Sequence, residues 1–478
     1  MPDDQNKRKA GVLLHISSLP SGNLGTDAYR FVDFLSATGA SIWQTLPINM
    51  PHADNSPYQC LSAHAGNTAF ICLQTLVQQG LITDSDIALG HHQALNVAHS
   101  HFNKLSDIEA FRAFCIDHQS WLNDYALYSV LRQTFQFAGW NQWEDAYKNR
   151  EESVLIAFKA EYATAIEQVK FHQYLFFTQW SALKEYAKQK HIALFGDIPI
   201  FVAYDSAEVW ANPHLFKLND DKEMTVVAGV PPDYFSETGQ RWGNPHYNWE
   251  VMQKDHYTWW VSRMRTQSEL FDLVRIDHFR GLEAAWEIPA EEPTAINGQW
   301  VEAPGGELLA AIYQALPTIQ LIAEDLGIIT QEVDALRLKY QMPGMKILQF
   351  AFGGDNTNPY LPENIEQNSV VYTGTHDNDT TLGWYNTIDD NVKKHFHDYI
   401  KNESPNMPFA LIEMAFATDA DTAIVPMQDI LALDGDCRMN TPGTIEGNWT
   451  WRFDWEQLTE AYQQQFKKLV KAAGRAHG

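Results

Sequence analysis

Cysteine is scarce, with four in 478 residues. Cys60, Cys72, Cys115 and Cys437 stand far apart and form no C-x-x-C pair, which argues against a disulfide framework or a zinc site and for a reducing compartment. Long apolar runs are missing too. No stretch of ~18 apolar residues is present to span a bilayer. The charged start, MPDDQNKRK, is followed only by a short apolar patch at residues 11–14, too brief for a secretory signal core. A cytoplasmic protein away from membranes is expected. Basic residues are also few: 34 Lys and Arg against 60 Asp and Glu, a formal charge of −26. That shortage argues against nucleic acid as a partner, because phosphate binding relies on Lys and Arg neutralising charge. An uncharged substrate remains open. No internal repeat, low-complexity tract or flexible linker is visible, and no protein partner is evident.

What is present is a large core and many aromatics. Hydrophobic residues make up 45% and aromatics 13%, with 16 tryptophans. Large aromatics are core material first, but apolar and aromatic side chains also line ligand pockets, where a flat ring can face a sugar. At this length the chain can hold two or three average domains, or one large α/β barrel with insertions.

Short apolar runs ending in polar, Gly or Pro residues recur at 11–15, 42–47, 192–197, 273–277, 319–324, 345–350, 370–375 and 423–426. Near-continuous apolar strands of this length suit a parallel sheet buried on both faces. Helical stretches such as 179–189 and 306–316 lie between several of them. Eight such strands predict a (β/α)8 barrel, with a doubly wound open sheet as the alternative. The second and third strands are too far apart for a simple crossover. Residues 105–185 carry apolar side chains at helical spacing, among them Phe111, Phe114, Trp121, Leu122, Tyr125 and Tyr128, and predict a mainly helical subdomain inserted over about 74–185. Residues 212–250 are poor in helix signal and rich in Gly, Pro and aromatics, so a long ordered loop covering the site is expected there.

Three strand ends finish in a carboxylate within a polar cluster: V-R-I-D-H-F-R-G at 274–281, I-A-E-D-L-G at 322–327 and T-G-T-H-D-N-D-T at 373–380. In a barrel such ends converge on the C-terminal face, where active sites sit. Cleaving a glycosidic bond with retention needs a nucleophilic and a proton-donating carboxylate about 5–5.5 Å apart, a spacing that neighbouring strands can supply. Asp277 and Glu324 are one βα unit apart in the chain. Each acid alone could be a helix N-cap, and Arg275 a structural ion pair. Strand alternation, however, puts Arg275 on the same side as Asp277, where it would hold the carboxylate ionised.

The chain resembles glycoside hydrolase family 77, the 4-α-glucanotransferases of the α-amylase clan, over nearly its whole length. The likeness is carried by A-G-V-L-L-H-I-S-S-L-P at 10–20, N-S-P-Y-Q at 55–59, F-G-D-I-P-I-F-V at 195–202 and V-A-G-V-P-P-D-Y-F-S-E-T-G-Q-R-W-G-N-P at 227–245. The three acidic clusters and R-M-N-T-P-G-T…G-N-W-T-W-R at 438–452 complete it. The resemblance implies that Asp277 is the nucleophile, Glu324 the acid/base and Asp377 the third carboxylate, which stabilises the transition state. It implies substrate-shell roles for Arg275, His278, His376, Tyr58, Ser56, Asp197, Asp233, Gln240, Trp242 and Asn448. It also implies maltooligosaccharides and linear α-glucans as substrates, no metal or organic cofactor, and no C-terminal β-sandwich. The chain departs from the family pattern in a shorter loop at 21–26, in the approach at 49–55, and in Arg241 where Leu is usual. The rival expectations are an α-1,4-glucan hydrolase and a non-catalytic glucan-binding scaffold.

Overall fold

A computed structural model describes residues 8–104, 108–233, 236–327 and 329–477. Twelve strands occur among them: β1 (Lys9–Leu13), β2 (Ile42–Gln44), β3 (Ala193–Pro199), β4 (Val226–Val230), β5 (Gln240–Pro245), β6 (Leu273–Asp277), β7 (Ala284–Pro289), β8 (Gln299–Glu302), β9 (Gln320–Ala323), β10 (Gly344–Ile347), β11 (Ser369–Tyr372) and β12 (Thr422–Pro426). Eight form one all-parallel sheet in the order β10-β11-β12-β1-β2-β3-β6-β9. The sheet closes on itself where the Ala323 N–H, at the end of β9, donates to the Pro343 carbonyl just before β10, at 2.9 Å. The fold is a (β/α)8 barrel, and the open-sheet alternative falls.

Strand alternation sorts the apolar side chains into two cores. Leu13, Ile42, Phe195, Ile322, Met345, Ile347, Val370, Tyr372 and Ile424 fill the barrel interior. Val12, Leu194, Val274, Ile276, Leu321 and Val371 point outward into the layer shared with the helices. Residues one apart on a strand face opposite sides, so the outward Val274 and Ile276 leave Arg275 and Asp277 facing inward. All eight runs anticipated from the sequence correspond to these strands.

Between β2 and β3 the described residues are mainly helical from Leu73 on. The 27-residue helix Ala163–Gln189 packs on Gln119–Thr134, and Phe111, Trp121, Leu122, Tyr125 and Tyr128 are buried there as their spacing predicts. Residues 105–107, the start of the anticipated stretch, lie outside the described residues.

The described part of residues 212–250 holds strands where a long ordered loop was expected. These are β4 and β5, which join β7 and β8 in an antiparallel sheet ordered β5-β4-β7-β8. The signal was weak because the strands are short and two of the partners come after β6 in the chain. Gly229 marks the close approach: a Cβ there would lie 2.1 Å from the Gln240 carbonyl. Tyr234 and Phe235 of the P-P-D-Y-F motif lie outside the described residues.

After β12 the described residues contain no further strand; the helix Glu460–Ala472 packs back on Thr26–Thr38. No helix among the described residues is long and apolar enough to cross a membrane.

Candidate active site

A cleft of about 380 Å³ opens at the C-terminal ends of the barrel strands, lined by Tyr58, Trp242, Asp277, His278, Glu324 and Asp377 among others. Parallel pairing sets the first two acids side by side. β6 pairs with β9 so that Ile276 faces Ala323, and the next residues along are Asp277 and Glu324. Neither acid serves as a helix N-cap. His278 precedes the short 3-10 turn Phe279–Leu282, and Thr330 caps the helix Gln331–Lys339 that follows Glu324 with its hydroxyl.

Beneath Asp277 lies a buried ion cluster. Arg275 Nη2 donates to Asp277 Oδ1 at 2.6 Å, while Nη1 donates to both Asp197 oxygens at 2.9 and 2.7 Å. The Tyr58 hydroxyl donates to Asp197 Oδ2 at 2.7 Å. Burial by itself would lower the Arg275 pKa, but the carboxylates of Asp197 and Asp277 reverse this and push it well above the usual value. Burial pushes Asp197 the other way, towards the neutral acid. With a guanidinium on both its oxygens and a hydroxyl donating to it, the ionised carboxylate is the form this geometry holds.

Glu324 differs from its neighbour. It is 9% exposed, and burial, helped by the nearby Asp277 charge, raises its pKa to about 7 against the opposing pull of Arg275. The His278 and Leu326 backbone N–H groups donate to its two oxygens at 2.7 and 2.9 Å, which limits the rise. His278 reaches that position with φ at +54°, a left-handed conformation uncommon for a side-chain-bearing residue and a frequent mark of functional sites. Burial lowers the His278 ring to about 4, so it is neutral near pH 7. Its Nε2 is buried with no hydrogen-bond partner among the described residues.

Asp377 sits on the turn after β11. Burial among protein atoms works against its ionisation, but His376, 3.3 Å away, and Asn440, whose Nδ2 donates to Oδ1 at 2.6 Å, hold the carboxyl well below the usual range. One side of it still faces the open cleft. Tyr58 stacks on His376 at 5.2 Å, and Trp449 closes the aromatic group at 5.9 Å from Tyr58 and 6.0 Å from His376.

The geometry is thus a pair of neighbouring acids, one bonded to Arg275 and the other buried with its pKa raised, a third held ionised, and aromatic walls. The glycoside hydrolase family 77 model, described as 4-alpha-glucanotransferase, matches residues 14–459. The chain belongs to this family. It is 45% identical to the 4-alpha-glucanotransferase of Streptococcus pneumoniae serotype 4 over 482 residues, covering 96% of this chain and 95% of that one. It is 43% identical to the 4-alpha-glucanotransferase of Thermus thermophilus, covering 98% and 99%. Its fold is similar to the amylomaltase from Streptococcus agalactiae solved in complex with acarbose, with a TM-score of 0.94 at 36% identity over 98% of this chain and 100% of that one.

Of the family 77 residues singled out in the sequence, Ser56, Tyr58, Gln240, Trp242, Asp277, His278, Glu324 and Asp377 line the cleft together. Ser56 Oγ accepts from the Tyr58 N–H at 3.4 Å and shapes the turn that presents the ring. Trp242 meets His278 edge-on at 4.8 Å and donates from Nε1 to Gln240 at 3.1 Å. Asp197, Arg275 and His376 stand behind this wall. Two more, Asp233 and Asn448, are neither in the lining nor directly behind it. Asp233 Oδ1 accepts from the Ser236 N–H at 2.8 Å in an exposed turn. Asn448 ties its own loop, accepting from the Thr441 N–H at 2.9 Å and donating to the Thr444 carbonyl at 3.0 Å.

Sequence reasoning gave no role to Asn440, Pro442, Gly443, Trp449, Gln59, Asn244 and Phe201, which also line the cleft. Most lie inside quoted motifs, so the signal was present without a way to rank positions. Arg241, the departure from the family pattern, donates to the Glu292 and Ala290 carbonyls, both at 2.9 Å. It pins β5 to the loop after β7.

Proposed function

We propose that the transfer of α-1,4-glucan segments by this 4-alpha-glucanotransferase runs as a double displacement on Asp277 and Glu324. The observation carrying this is their adjacency on β6 and β9 in one cleft, with Arg275 bonded to the first and burial raising the second. An Asp277 oxygen attacks C1 of the donor sugar as the C1–O4 bond breaks, and Glu324 gives its proton to the departing O4. Glu324, now ionised, takes the proton of an acceptor 4-hydroxyl, whose oxygen attacks C1 and releases Asp277. The two surroundings suit these tasks: the Arg275 guanidinium orients the Asp277 carboxylate for attack, and a buried acid near neutrality can both give and take a proton.

Asp377, held ionised by His376 and Asn440, accepts from sugar hydroxyls where charge builds up at C1. The unmatched His278 Nε2 offers a further partner for a hydroxyl. Tyr58 and Trp449 give the sugar flat apolar faces, and Trp242 and Gln240 on β5 flank the acceptor approach, where excluding water favours transfer over hydrolysis. Maltooligosaccharides and linear α-glucans fit as donors and acceptors. Residues 74–185 serve as an inserted helical subdomain and 212–250 as a covering segment. We also infer a cytoplasmic location, supported by four unpaired cysteines.

Incubation with maltotriose tests the reading. Glucose together with a ladder of longer dextrins is the expected product pattern; products that only shorten would overturn transfer in favour of hydrolysis.

A further inference from the structure

The turn that carries Asp377 is held by an arginine on the adjacent segment. Arg438 Nη2 donates to the Asp377 carbonyl at 2.9 Å, and its Nε donates to the Asn440 carbonyl at 3.2 Å. Its Nη1 lies 3.9 Å from Asp379 Oδ2. Asn440 completes the circuit. Its N–H donates to the His376 carbonyl at 3.2 Å, and its side chain holds Asp377 Oδ1. One guanidinium therefore joins the main chain of Asp377 to the main chain of the residue that grips the Asp377 carboxylate. A planar fork with donors in set directions can do this, and a lysine ammonium cannot. Asp379 is itself confined by two glycines: a Cβ at Gly383 or Gly435 would come within 2.5 or 2.9 Å of its Oδ1. Arg438 and Asp379 are not among the residues lining the main cleft.

We propose that Arg438 is a positioning residue for the transfer reaction, tethered by Asp379, and that the two set where the Asp377 carboxylate meets the reacting sugar. This rests on the role given to Asp377 above. An interaction made mainly in the transition state shows its loss in kcat and in kcat/KM alike, with KM little changed. A misplacement of about 1 Å costs on the order of 10²-fold in rate.

The test is steady-state kinetics of the full-length enzyme with maltotriose, and with maltosyl fluoride for the slowest variants. Arg438→Ala should lower kcat by about 10- to 100-fold while KM moves little, and added guanidinium ion should restore part of the loss. Arg438→Lys, which keeps the charge without the fork, should fall between. Asp377→Asn checks the parent reading separately: full activity there would remove the role of Asp377 itself. Collapse of Asp377→Asn alongside an unchanged Arg438→Ala kcat would overturn only the positioning role. In the double variant the two losses should be far from additive, because both act through one carboxylate. Additive losses would make Arg438 a general structural residue and sink the inference. Should Arg438→Ala fail to fold, the near-isosteric Asp379→Asn is read instead. A kcat about 3- to 10-fold down supports the tether, by the same misplacement argument, and an unchanged kcat overturns it.

Discussion

The two walls of the cleft are built in different ways. On one side Asp197, Arg275, Asp277 and Glu324 sit on or directly after barrel strands, and their mutual positions follow from the β3-β6-β9 register. On the other side Asp377, Asn440 and Trp449 sit on segments outside the strands, held by the side chains of Arg438 and Asn440 and by main-chain hydrogen bonds to His376 and Met439. The strand-borne wall is mostly buried: Asp197 is 1% exposed and Arg275 4%. The loop-borne wall is open, with the Asp377 side chain 47% exposed. A sheet register cannot shift by one residue without turning every side chain to the other face, so the first wall suits bond-making groups. Turns held by side chains can adjust to different sugars.

If this contrast is right, the largest losses fall on the strand-borne acids. Asp277→Asn should cut maltotriose turnover by about 10⁴-fold or more, the usual scale for losing a nucleophile. Glucose release at a normal rate would break the comparison at its strongest point.

Glu324→Gln should cost about 10²- to 10⁴-fold, as for loss of a general acid/base, and much less with a donor whose leaving group needs no proton. The wild-type kcat/KM should fall as the pH rises through about 7, where Glu324 loses its proton. An alkaline limb that persists unchanged in Glu324→Gln would assign it to another group. The same residue also weakens the fold at high pH. Its folded value, about 7, lies above its ordinary 4.5, so its contribution is complete below about 4.5 and is lost as the pH rises through 7. Glu324→Gln should therefore melt higher than wild type at pH 8, by up to about 3 kcal/mol in stability, with little difference at pH 4. Equal melting shifts at both pH values would contradict a buried, raised carboxyl.

Tyr58→Phe bridges the two walls. It keeps the ring against His376 and removes one hydrogen bond to the Asp197 cluster, worth about 1 to 3 kcal/mol when a charged partner is involved. A fall in kcat/KM of about 5- to 150-fold is the matching outcome, and no change would detach Tyr58 from the ion cluster. The smallest effect is expected at the rim. Trp242→Ala should leave kcat within about threefold but raise the share of hydrolysis, since the retaining acids are untouched and only water access changes. Total turnover against reducing-sugar release measures that share, and an unaltered ratio would remove β5 from control of water.

Much of the strand-borne wall was legible before any coordinates. Short apolar runs marked the eight barrel strands, and period-2 alternation put Arg275 beside Asp277. The loop-borne wall was legible only as motif text. Nothing local distinguishes Asn440, which grips Asp377, from Asn448, which ties its own loop, because the difference depends on which turn folds back against β11. The segment at 212–250 read as a loop for a related reason. Its strands are stabilised by β7 and β8, which follow only after β6, and such long-range pairing leaves a weak local trace.

The sequence by itself determined the barrel, the identity of its acids and the inward face they share, since hydrophobic periodicity is a local property of the chain. Only the tertiary structure decided that Glu324 is pushed up to about 7 while Asp377 is held down. His376 beside Asp377 is a chain neighbour, but the burial of Glu324, the Asp277 charge next to it and the Asn440 donor on Asp377 are brought in by distant segments, and no local pattern encodes those.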